Sequence, residues 1–363
     1  MKDNPEIFTE YPIDFFTMKN VQVAVVILNW NGVSFLEKFL PNVLLCTGND
    51  AEVIVADNGS TDNSVAFMQE HFPEVRLILS NQNFGYAEGY NVALSQIDAD
   101  YYVLLNSDVE VTPNWISPII NLMETDNSIA ACQPKLLAYD NRRELEYAGA
   151  GGGFIDKLGY PFCRGRLFQT LEQDNGQYDD IREIFWASGA CMFVRASAFR
   201  EAGGLDKDFF AHMEEIDFCW RVKNLGYRIM YCGESVIYHV GGGSLPKSAA
   251  RKTYLNIRNN LIMLYKNLPE KELRKTFFKR YFLDGIAAVH FLLSSGSFKS
   301  WWAVTRAHAS FLRTKKRTMV KRRRIQQQYL SHIYQGSIVK DYYLIRKRDF
   351  SQLDEGKFSP IIK

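Results

Sequence analysis

Four short apolar runs, each followed by polar turn residues, constrain the fold of this chain more than any other feature of its sequence. The runs cover residues 21–28, 52–56, 75–79 and 101–105. Segments with apolar side chains at helical spacing separate them, and this alternation predicts an α/β layer with a largely parallel sheet. In such sheets the loops at the carboxyl ends of the strands face the ligand crevice. The polar residues expected along that edge are Asn29, Asp57, Asn83 and Asp108.

Beyond residue 110 the sequence signals vary, and they are weakest between residues 140 and 180. Thr112 before Pro113 predicts the start of a helix, because threonine caps helices and proline suits the first helical position. The glycine-rich residues 149–153 predict a mobile insertion, and residues 183–195 predict one buried strand. A further helix is expected over residues 214–225.

The charge of the chain is divided between its two ends. Its 43 Lys and Arg residues nearly balance 41 Asp and Glu, and 47% hydrophobic residues are typical of a folded protein. Residues 1–250 hold 34 acidic and 18 basic side chains, whereas residues 251–363 hold 7 acidic and 25 basic. We therefore expect an N-terminal extension (1–20), an acidic catalytic domain (21–250) and a basic, aromatic, helical region (251–363) that meets an anionic partner.

The cysteines and the apolar runs exclude several classes of protein. The six cysteines are scattered without a C-x-x-C pair, which argues against a zinc ribbon or a disulfide framework and favours a reducing cytosol. The first 20 residues do not have the pattern of a secretory signal. No stretch reaches the roughly 18–20 apolar residues of a spanning helix, so a soluble or membrane-surface protein is favoured.

Three polar positions at strand ends each have a functional and a structural interpretation. Asp57 begins a turn-forming segment, where it either accepts hydrogen bonds from a nucleobase or hydroxyls, or forms an Asx turn. Asp108 is placed either to hold a hard divalent ion or to satisfy a turn. His239, before glycines at 241–243, is either a metal ligand or a packed histidine.

The densest carboxylate cluster is Glu214, Glu215 and Asp217. Their structural interpretation is that they complement a helix dipole, with Asp217 pairing with Arg221 four residues on. Their functional interpretation is that one of them is a general base, because crowded carboxylates raise each other's pKa toward neutrality. Three acids in four residues favour the functional interpretation.

Segments of the chain, in order, resemble the family 2 glycosyltransferases with the GT-A fold, most nearly the bacterial rhamnosyltransferase-like branch. They are residues 27–32, 55–62, 83–91, 104–108, 187–192 and 214–221, followed by His239. The resemblance covers about residues 21–267 and implies a mixed, mainly parallel sheet flanked by helices. Outside it lies the basic helical C-terminal region.

The resemblance assigns a role to each matching position. On the nucleotide-sugar side it places Asn29, Asn31, Gly32, Asp57, Asn83, Gly85, Asn106 and Asp108. It implies that Asp108 and His239 bind Mg²⁺ or Mn²⁺, and it places Trp186, Ser188 and Gly189 on the acceptor side. The candidate bases are Glu215, Glu214 and Asp217.

The chain departs from the family pattern at two of these positions. Asn106 stands at the first position of the family's D-x-D motif, and Glu215 stands where the family usually has the Asp of its Glu-Asp base motif. His212 also stands where the family often has Tyr. The assignment of the base among Glu214, Glu215 and Asp217 therefore stays open at this stage.

The function that the resemblance implies is an inverting, metal-dependent glycosyltransferase. It would move a sugar from a dTDP- or UDP-linked donor to a hydroxyl of a glycan or polyprenyl-linked acceptor, in cell-surface polysaccharide synthesis. Its expected place is the cytoplasmic face of the inner membrane. The alternatives are a nucleotide-sugar or glycan-binding protein without turnover and a sugar nucleotidyltransferase, although Asn29–Gly32 is not the glycine- and basic-rich loop that the latter needs. A dinucleotide-dependent oxidoreductase would need G-x-G-x-x-G at that turn, which is absent.

The basic region from residue 251 has three interpretations. Aromatic residues beside Lys and Arg suit a helix that lies on an anionic membrane surface. The second interpretation is a helical hairpin that packs its apolar face on the catalytic domain. Nucleic-acid binding is disfavoured, because the acidic first domain would repel a phosphate backbone.

Overall fold

The computed structural model describes residues 22–241, 250–295 and 297–360. The predicted N-terminal extension and Gly242–Gly243 lie outside the described residues. The first part of the chain folds into β1 (Val23–Asn29), α1 (Val33–Thr47), β2 (Glu52–Asp57), α2 (Ser64–His71), β3 (Arg76–Leu79), α3 (Gly85–Leu94), β4 (Tyr101–Asn106), β5 (Val109–Val111), α4 (Ser117–Thr125) and β6 (Ile129–Ala138). The predicted alternation of strands and helices is confirmed.

The middle of the chain adds short strands and two further helices. They are β7 (Gly153–Asp156), β8 (Pro161–Cys163), β9 (Arg166–Leu167), β10 (Thr170–Leu171), β11 (Ile181–Ile184), β12 (Cys191–Arg195), α5 (Ala196–Glu201), α6 (Glu214–Asn224) and β13 (Arg228–His239). The C-terminal region contains α7 (Ala250–Asn267), α8 (Glu270–Ser295), α9 (Phe298–Arg322), β14 (Ile333–Tyr334) and α10 (Ile338–Tyr343).

The main sheet is mixed and has the order β11-β13-β6-β12-β4-β1-β2-β3, with β5 paired to β13. Its parallel half consists of β4, β1, β2 and β3, whose apolar side chains are buried against helices on both faces. In the other half β12 runs antiparallel to both β4 and β6. The predicted α/β fold class is confirmed. The four apolar runs form the parallel half, and β6 and β13 form a further parallel pair that the runs did not predict.

A second sheet joins the middle of the chain to its C-terminal end. Its order is β10-β9-β8-β7-β14, and β14 pairs in parallel with β7. Phe350 and Phe358 pack against the rings of Phe154 and Phe162 on this sheet. The change of charge near residue 250 therefore does not interrupt the packing, because the C-terminal region shares a core with the catalytic domain.

The prediction of a mobile insertion at residues 149–153 is wrong. These residues are buried, and their glycines allow close packing. A Cβ on Gly153 would lie 2.2 Å from the Trp186 ring, and one on Gly149 would lie 2.5 Å from Ser188 Cβ. The glycines are there because larger residues would not fit, and not because the segment has to move.

Two other element predictions are wrong for identifiable reasons. Residues 183–195 form two strands, since β11 pairs at the sheet edge with β13 whereas β12 lies in the centre between β4 and β6. The helix expected at Thr112 begins only at Ser117. Thr112 Oγ1 donates to Val236 O at 2.7 Å, and Asn114 has a φ of 59°, which is incompatible with a continuous helix.

Candidate active site

The loops that follow β1 and β2 form one hydrogen-bonded unit. Asn29 and Asp57 lie opposite each other in the sheet, and Asn29 Nδ2 donates to Asp57 Oδ2 at 3.1 Å. The backbone N–H of Ser60 donates to the other carboxylate oxygen of Asp57 at 2.9 Å. Both Asn29 and Asp57 are buried, and neither is among the residues that line the cleft. They lie behind the loops and set their shape.

The cleft surface beside these loops is formed by Trp30, Asn31 and Gly32. Asn31 has a φ of 51°, and its side-chain oxygen accepts a hydrogen bond from Thr61 N at 2.7 Å, which ties the first loop to the second. The Trp30 side chain is 46% exposed at the cleft. Trp30 is not among the site residues predicted from the sequence, because a single tryptophan in a turn has no pattern that distinguishes it from a packing residue.

The predicted nucleotide-side residues Asn83 and Gly85 also lie at the cleft. Asn58 Nδ2 donates to Asn83 Oδ1 at 3.3 Å and to Gly85 O at 2.9 Å, so the loop after β3 is bound to the loop after β2. Gly85 has a φ of 78°, and a Cβ there would lie 2.6 Å from Phe210 O. Only glycine permits this close approach between the nucleotide side and the loop before α6.

Asp108 and His239 meet at the end of β13, as predicted. His239 Nε2 lies 3.2 Å from Asp108 Oδ1 and 3.4 Å from Asn106 Nδ2. On the opposite side of the ring, His239 Nδ1 lies 3.3 Å from Glu146 Oε1. Burial alone would lower the pKa of His239, but Glu146 and Asp108 raise it to about 10. The imidazole is therefore held between two carboxylates.

Glu214 and Glu215 begin helix α6 and line the same cleft. Burial raises the pKa of Glu215 to about 7. Burial and the neighbouring Glu215 raise the pKa of Glu214 well above its usual range. Each carboxyl has an Oε2 atom without a hydrogen-bond partner among the described residues. A carboxyl that ionises near neutrality, beside a second carboxyl whose pKa is also raised, is a typical arrangement for acid–base chemistry.

The loop before these glutamates has an unusual backbone. Three of its residues have positive φ values, a backbone conformation that residues other than glycine seldom adopt. They are Phe210 (65°), His212 (70°) and Met213 (73°). Asn259 of α7 holds the loop in this shape, because its Nδ2 donates to the carbonyls of residues 209, 211 and 212 at 3.0, 2.9 and 2.7 Å. Strained backbone of this kind persists only where contacts with the surrounding structure hold it in place.

The residues predicted for the acceptor side complete the wall of the cleft. Trp186, Ser188 and Gly189 line it, and Gly189 O accepts a hydrogen bond from Tyr86 Oη at 2.6 Å. The cleft has a volume of about 890 Å³ and is continuous from the nucleotide-side loops past Glu215 to helix α8. At that far end it is lined by Asp284, Ala287 and Phe291.

Comparison with known proteins agrees with this geometry. The sequence profile described as "Glycosyl transferase family 2" matches residues 24–203. The chain belongs to glycosyltransferase family 2. The N-acetylglucosaminyl-diphospho-decaprenol L-rhamnosyltransferase of Mycobacterium tuberculosis (strain CDC 1551 / Oshkosh) is 27% identical over 258 residues, covering 67% of this chain and 83% of the relative. The rhamnosyltransferase WbbL of Escherichia coli (strain K12) is 24% identical over 219 residues, covering 58% of this chain and 80% of the relative.

A solved structure supports the fold of this family 2 glycosyltransferase. The crystal structure of GalNAc-T7 with UDP, GalNAc and Mn²⁺ has a TM-score of 0.56 and 14% sequence identity. The match covers 83% of this chain and 57% of that chain. This match confirms the expected GT-A fold, and the two rhamnosyltransferase relatives confirm the rhamnosyltransferase-like resemblance.

One of the three candidate bases of the glycosyltransferase does not reach the cleft. Asp217 is fully buried on the other side of α6. Its carboxylate accepts hydrogen bonds from Arg221 Nε (2.9 Å) and Lys266 Nζ (2.8 Å), and also from Asn267 Nδ2. Asp217 is therefore not a candidate base, and it joins α6 to α7 through a buried ion pair. The pairing with Arg221 that the spacing suggested is present.

Two further residues of the site were not predicted from the sequence, because their partners are distant in the chain. Glu146 lies in a segment without a recognisable motif and reaches His239 only through the fold of residues 139–153. Asn259 lies on an ordinary-looking helix. A buried polar residue on a helix face is the only local signal for Asn259, and Glu146 has none.

Proposed function

We propose that this family 2 glycosyltransferase is an inverting, metal-dependent enzyme that transfers a sugar from a dTDP- or UDP-linked donor to an acceptor hydroxyl. The observation that carries the proposal is the single continuous cleft. It joins the nucleotide-side loops, the Asp108–His239 pair and the Glu214–Glu215 pair within one volume of about 890 Å³. Trp30, exposed at the cleft, offers a flat ring on which a nucleobase can stack.

The residues around Asp108 fit a divalent ion. The described residues contain no group of three side chains that could hold a metal by themselves. Asp108 offers one ligand, and His239 Nε2 becomes a second when the binding ion displaces its proton, because a ligating imidazole is neutral. Mg²⁺ sites at phosphates need only one or two protein ligands, since the substrate and water supply the rest. Glu146 on the far side of the ring is the kind of carboxylate that orients a metal-bound histidine. A bound ion would stabilise charge on the leaving nucleoside diphosphate.

Glu215 is the proposed general base. With a pKa of about 7 it is partly ionised at neutral pH, while burial and the neighbouring Glu215 raise the pKa of Glu214 and so favour its protonated form. Glu215 takes the proton from the acceptor hydroxyl as that oxygen attacks the anomeric carbon. A single displacement from the face opposite the leaving group inverts the anomeric configuration.

The shape of the cleft favours a lipid-linked acceptor. Its far end is formed by the inner face of α8, with Ala287 and Phe291, while the outer face of the same helix is exposed and apolar. The outer residues are Phe278, Phe282, Ile286, Val289 and Leu293. The mycobacterial relative is named for a decaprenol-linked acceptor. We infer that the acceptor sugar enters the cleft while its polyprenyl chain stays beside α8.

We also propose that the C-terminal region rests on an anionic membrane surface. The apolar residues of α8 recur at spacings of three and four, so they form one face of the helix. In the described part of the chain, none of the helices combines the length and apolar content needed to cross a bilayer. A glycosyltransferase of cell-surface polysaccharides on the cytoplasmic face of the inner membrane accords with such a surface.

The proposal is tested by incubating the protein with dTDP- and UDP-linked sugars and measuring release of nucleoside diphosphate, with Mn²⁺ and with chelator. We expect release that depends on the metal and that increases with a polyprenyl-diphosphate-linked acceptor. A Glu215→Gln variant serves as the control for contaminating hydrolases. Donor binding without turnover under all of these conditions would instead establish a nucleotide-sugar-binding protein.

A further inference from the structure

Helices α7 and α9 pack side by side and carry charges of only one sign. Helix α7 has four Lys or Arg residues, α9 has eight, and neither has an Asp or Glu. Near the end of α9 this charge is compensated, because Arg317 and Lys321 pair with Asp208, and Arg322 pairs with Glu270. Nearer its start, Arg306 and Arg313 have no carboxylate within 4.0 Å among the described residues.

These two arginines border a pocket between the helices. The cavity has a volume of about 440 Å³ and is also lined by Tyr254, Thr305 and Ser310. Tyr254 Oη donates to Ser310 Oγ at 3.0 Å, and the Arg306 guanidinium lies 5.2 Å from the centre of the Tyr254 ring. The pocket therefore offers two guanidinium groups and the hydroxyl groups of Thr305 and Ser310 as donors to an anion, while the Tyr254 hydroxyl is already bonded to Ser310.

The electrostatic character of the pocket is visible in Tyr254. Burial alone would raise the pKa of its phenol, but the hydrogen bond with Ser310 and the Arg258 and Arg306 guanidinium groups lower it. The field in the pocket thus favours negative charge. Helix α7 separates this pocket from the catalytic cleft, because Tyr254 lines the pocket whereas Asn256 and Asn260 line the cleft.

The surface beside the pocket is apolar. Helices α8 and α9 form an antiparallel hairpin, since His308 Nε2 lies 3.1 Å from Asp284 Oδ2 and the Phe277 and Phe311 rings are 5.4 Å apart. Leu293 and Phe298 are therefore at the tip of the hairpin, where they are 82% and 63% exposed. Trp302, 48% exposed, lies between this tip and the arginines and forms one end of the pocket.

We propose that the pocket between α7 and α9 binds the phosphodiester head group of an anionic phospholipid. Arg306 and Arg313 pair with the phosphate, since a planar guanidinium matches its oxygens, while Trp302 and the hairpin tip lie among the acyl chains. A free phosphate ion would use the arginines but leave the tip exposed to water, so the combined surface fits a lipid. This inference rests on the proposed membrane association, and it identifies the lipid head group that the protein recognises at the membrane surface.

The experiment measures sedimentation of the full-length protein with vesicles of phosphatidylcholine, with and without phosphatidylglycerol, at constant ionic strength. We expect binding that requires phosphatidylglycerol. A double variant, Arg306→Gln with Arg313→Gln, should lower the apparent affinity about tenfold or more, because each basic residue near an anionic surface contributes substantially. Both arginines are exposed, so the melting temperature should stay close to that of the parent protein.

The matched control is Arg323→Gln with Arg324→Gln, which removes the same charge from two exposed residues after α9. Ten residues of helix separate them from Arg313, about 15 Å, which exceeds the Debye length in physiological salt. We expect this variant to retain binding within about twofold. An equal loss in both double variants would overturn the pocket in favour of diffuse charge attraction.

A second variant tests the shape of the pocket without changing its charge. Ala309→Trp fills the cavity, and we expect it to abolish the phosphatidylglycerol-dependent part of the binding. Two results would overturn the lipid assignment. One is full vesicle binding by this variant. The other is release of the protein from vesicles by millimolar inorganic phosphate but not by chloride of equal ionic strength. Donor hydrolysis in vesicle-free buffer reports the proposed glycosyltransferase activity separately, so the two proposals fail independently.

Discussion

The nucleotide side of the cleft and its C-terminal wall are built in different ways. On the nucleotide side, loops that directly follow neighbouring strands bind one another, as Asn29 with Asp57 and Asn58 with Asn83 show. On the C-terminal side, Asn259 and Lys266 of α7 contact residues that are about 50 positions earlier in the chain. The sheet therefore positions the residues of the first region, whereas contacts with the packed helix α7 position the residues of the second.

This difference teaches that the basic C-terminal region belongs to the active site. It holds the strained loop before Glu214 through Asn259, and it lines the cleft with Asn256 and Asn260. Of the three interpretations of the region, packing against the catalytic domain is what the structure shows. Membrane binding stays a proposal that concerns the outer faces of α8 and α9.

The largest expected effect is at Glu215, where the two regions meet. Replacement by Gln should lower turnover about 10²–10⁴-fold, because the general base is lost, while donor binding is retained. Glu214→Gln is the matched control, and it should keep most of the activity, since a protonated carboxyl resembles an amide. Turnover with each variant at saturating donor provides the measurement, and the reverse ranking would move the base to Glu214.

The nucleotide side is tested by Asp108→Ala. Stabilisation by ligand amounts to about 2.7 kcal/mol at one hundred times the dissociation constant. We expect Mn²⁺-dependent stabilisation of the protein by UDP or dTDP to disappear in the variant, as measured by thermal shift. Glu110→Ala, two residues away and paired with Arg142, should retain it. An unchanged shift in Asp108→Ala would remove this residue from the metal site.

The C-terminal wall is tested by Asn259→Ala. Loss of the donor to three buried carbonyls should cost about 1–3 kcal/mol of stability and should lower turnover more than donor affinity. Asn267→Ala, on the same helix, breaks a buried hydrogen bond to Asp217 without touching residues 209–213. If both variants lose stability but keep the same turnover per folded molecule, Asn259 is structural only.

The smallest expected effect is the dependence of activity on pH. Since Glu215 acts as a base only when it is ionised and its pKa is about 7, kcat/KM should rise about tenfold per pH unit below that value and level off above it. Donor affinity measured over the same range separates this effect from changes in binding. A flat profile through neutral pH would contradict the assignment of Glu215.

Part of the site was predictable because its residues are local to recognisable signals. Asp108 follows an apolar strand, and Glu214 and Glu215 form a dense acidic cluster at a helix start. Asp217 belongs to the same cluster, but its position on the helix points it toward Lys266 instead of the cleft. Composition alone cannot separate these outcomes, because the face that each residue occupies depends on which helix packs against α6.

By itself, the sequence determined the strands, the helices between them and the polar edge where they end, because these follow from local alternation of apolar and polar side chains. The tertiary structure alone decided which groups surround His239, which acid faces the cleft, and that residues 149–153 are buried. Those outcomes depend on contacts between segments far apart in the chain. The physical reason is that packing space and charge pairing are properties of neighbours in space.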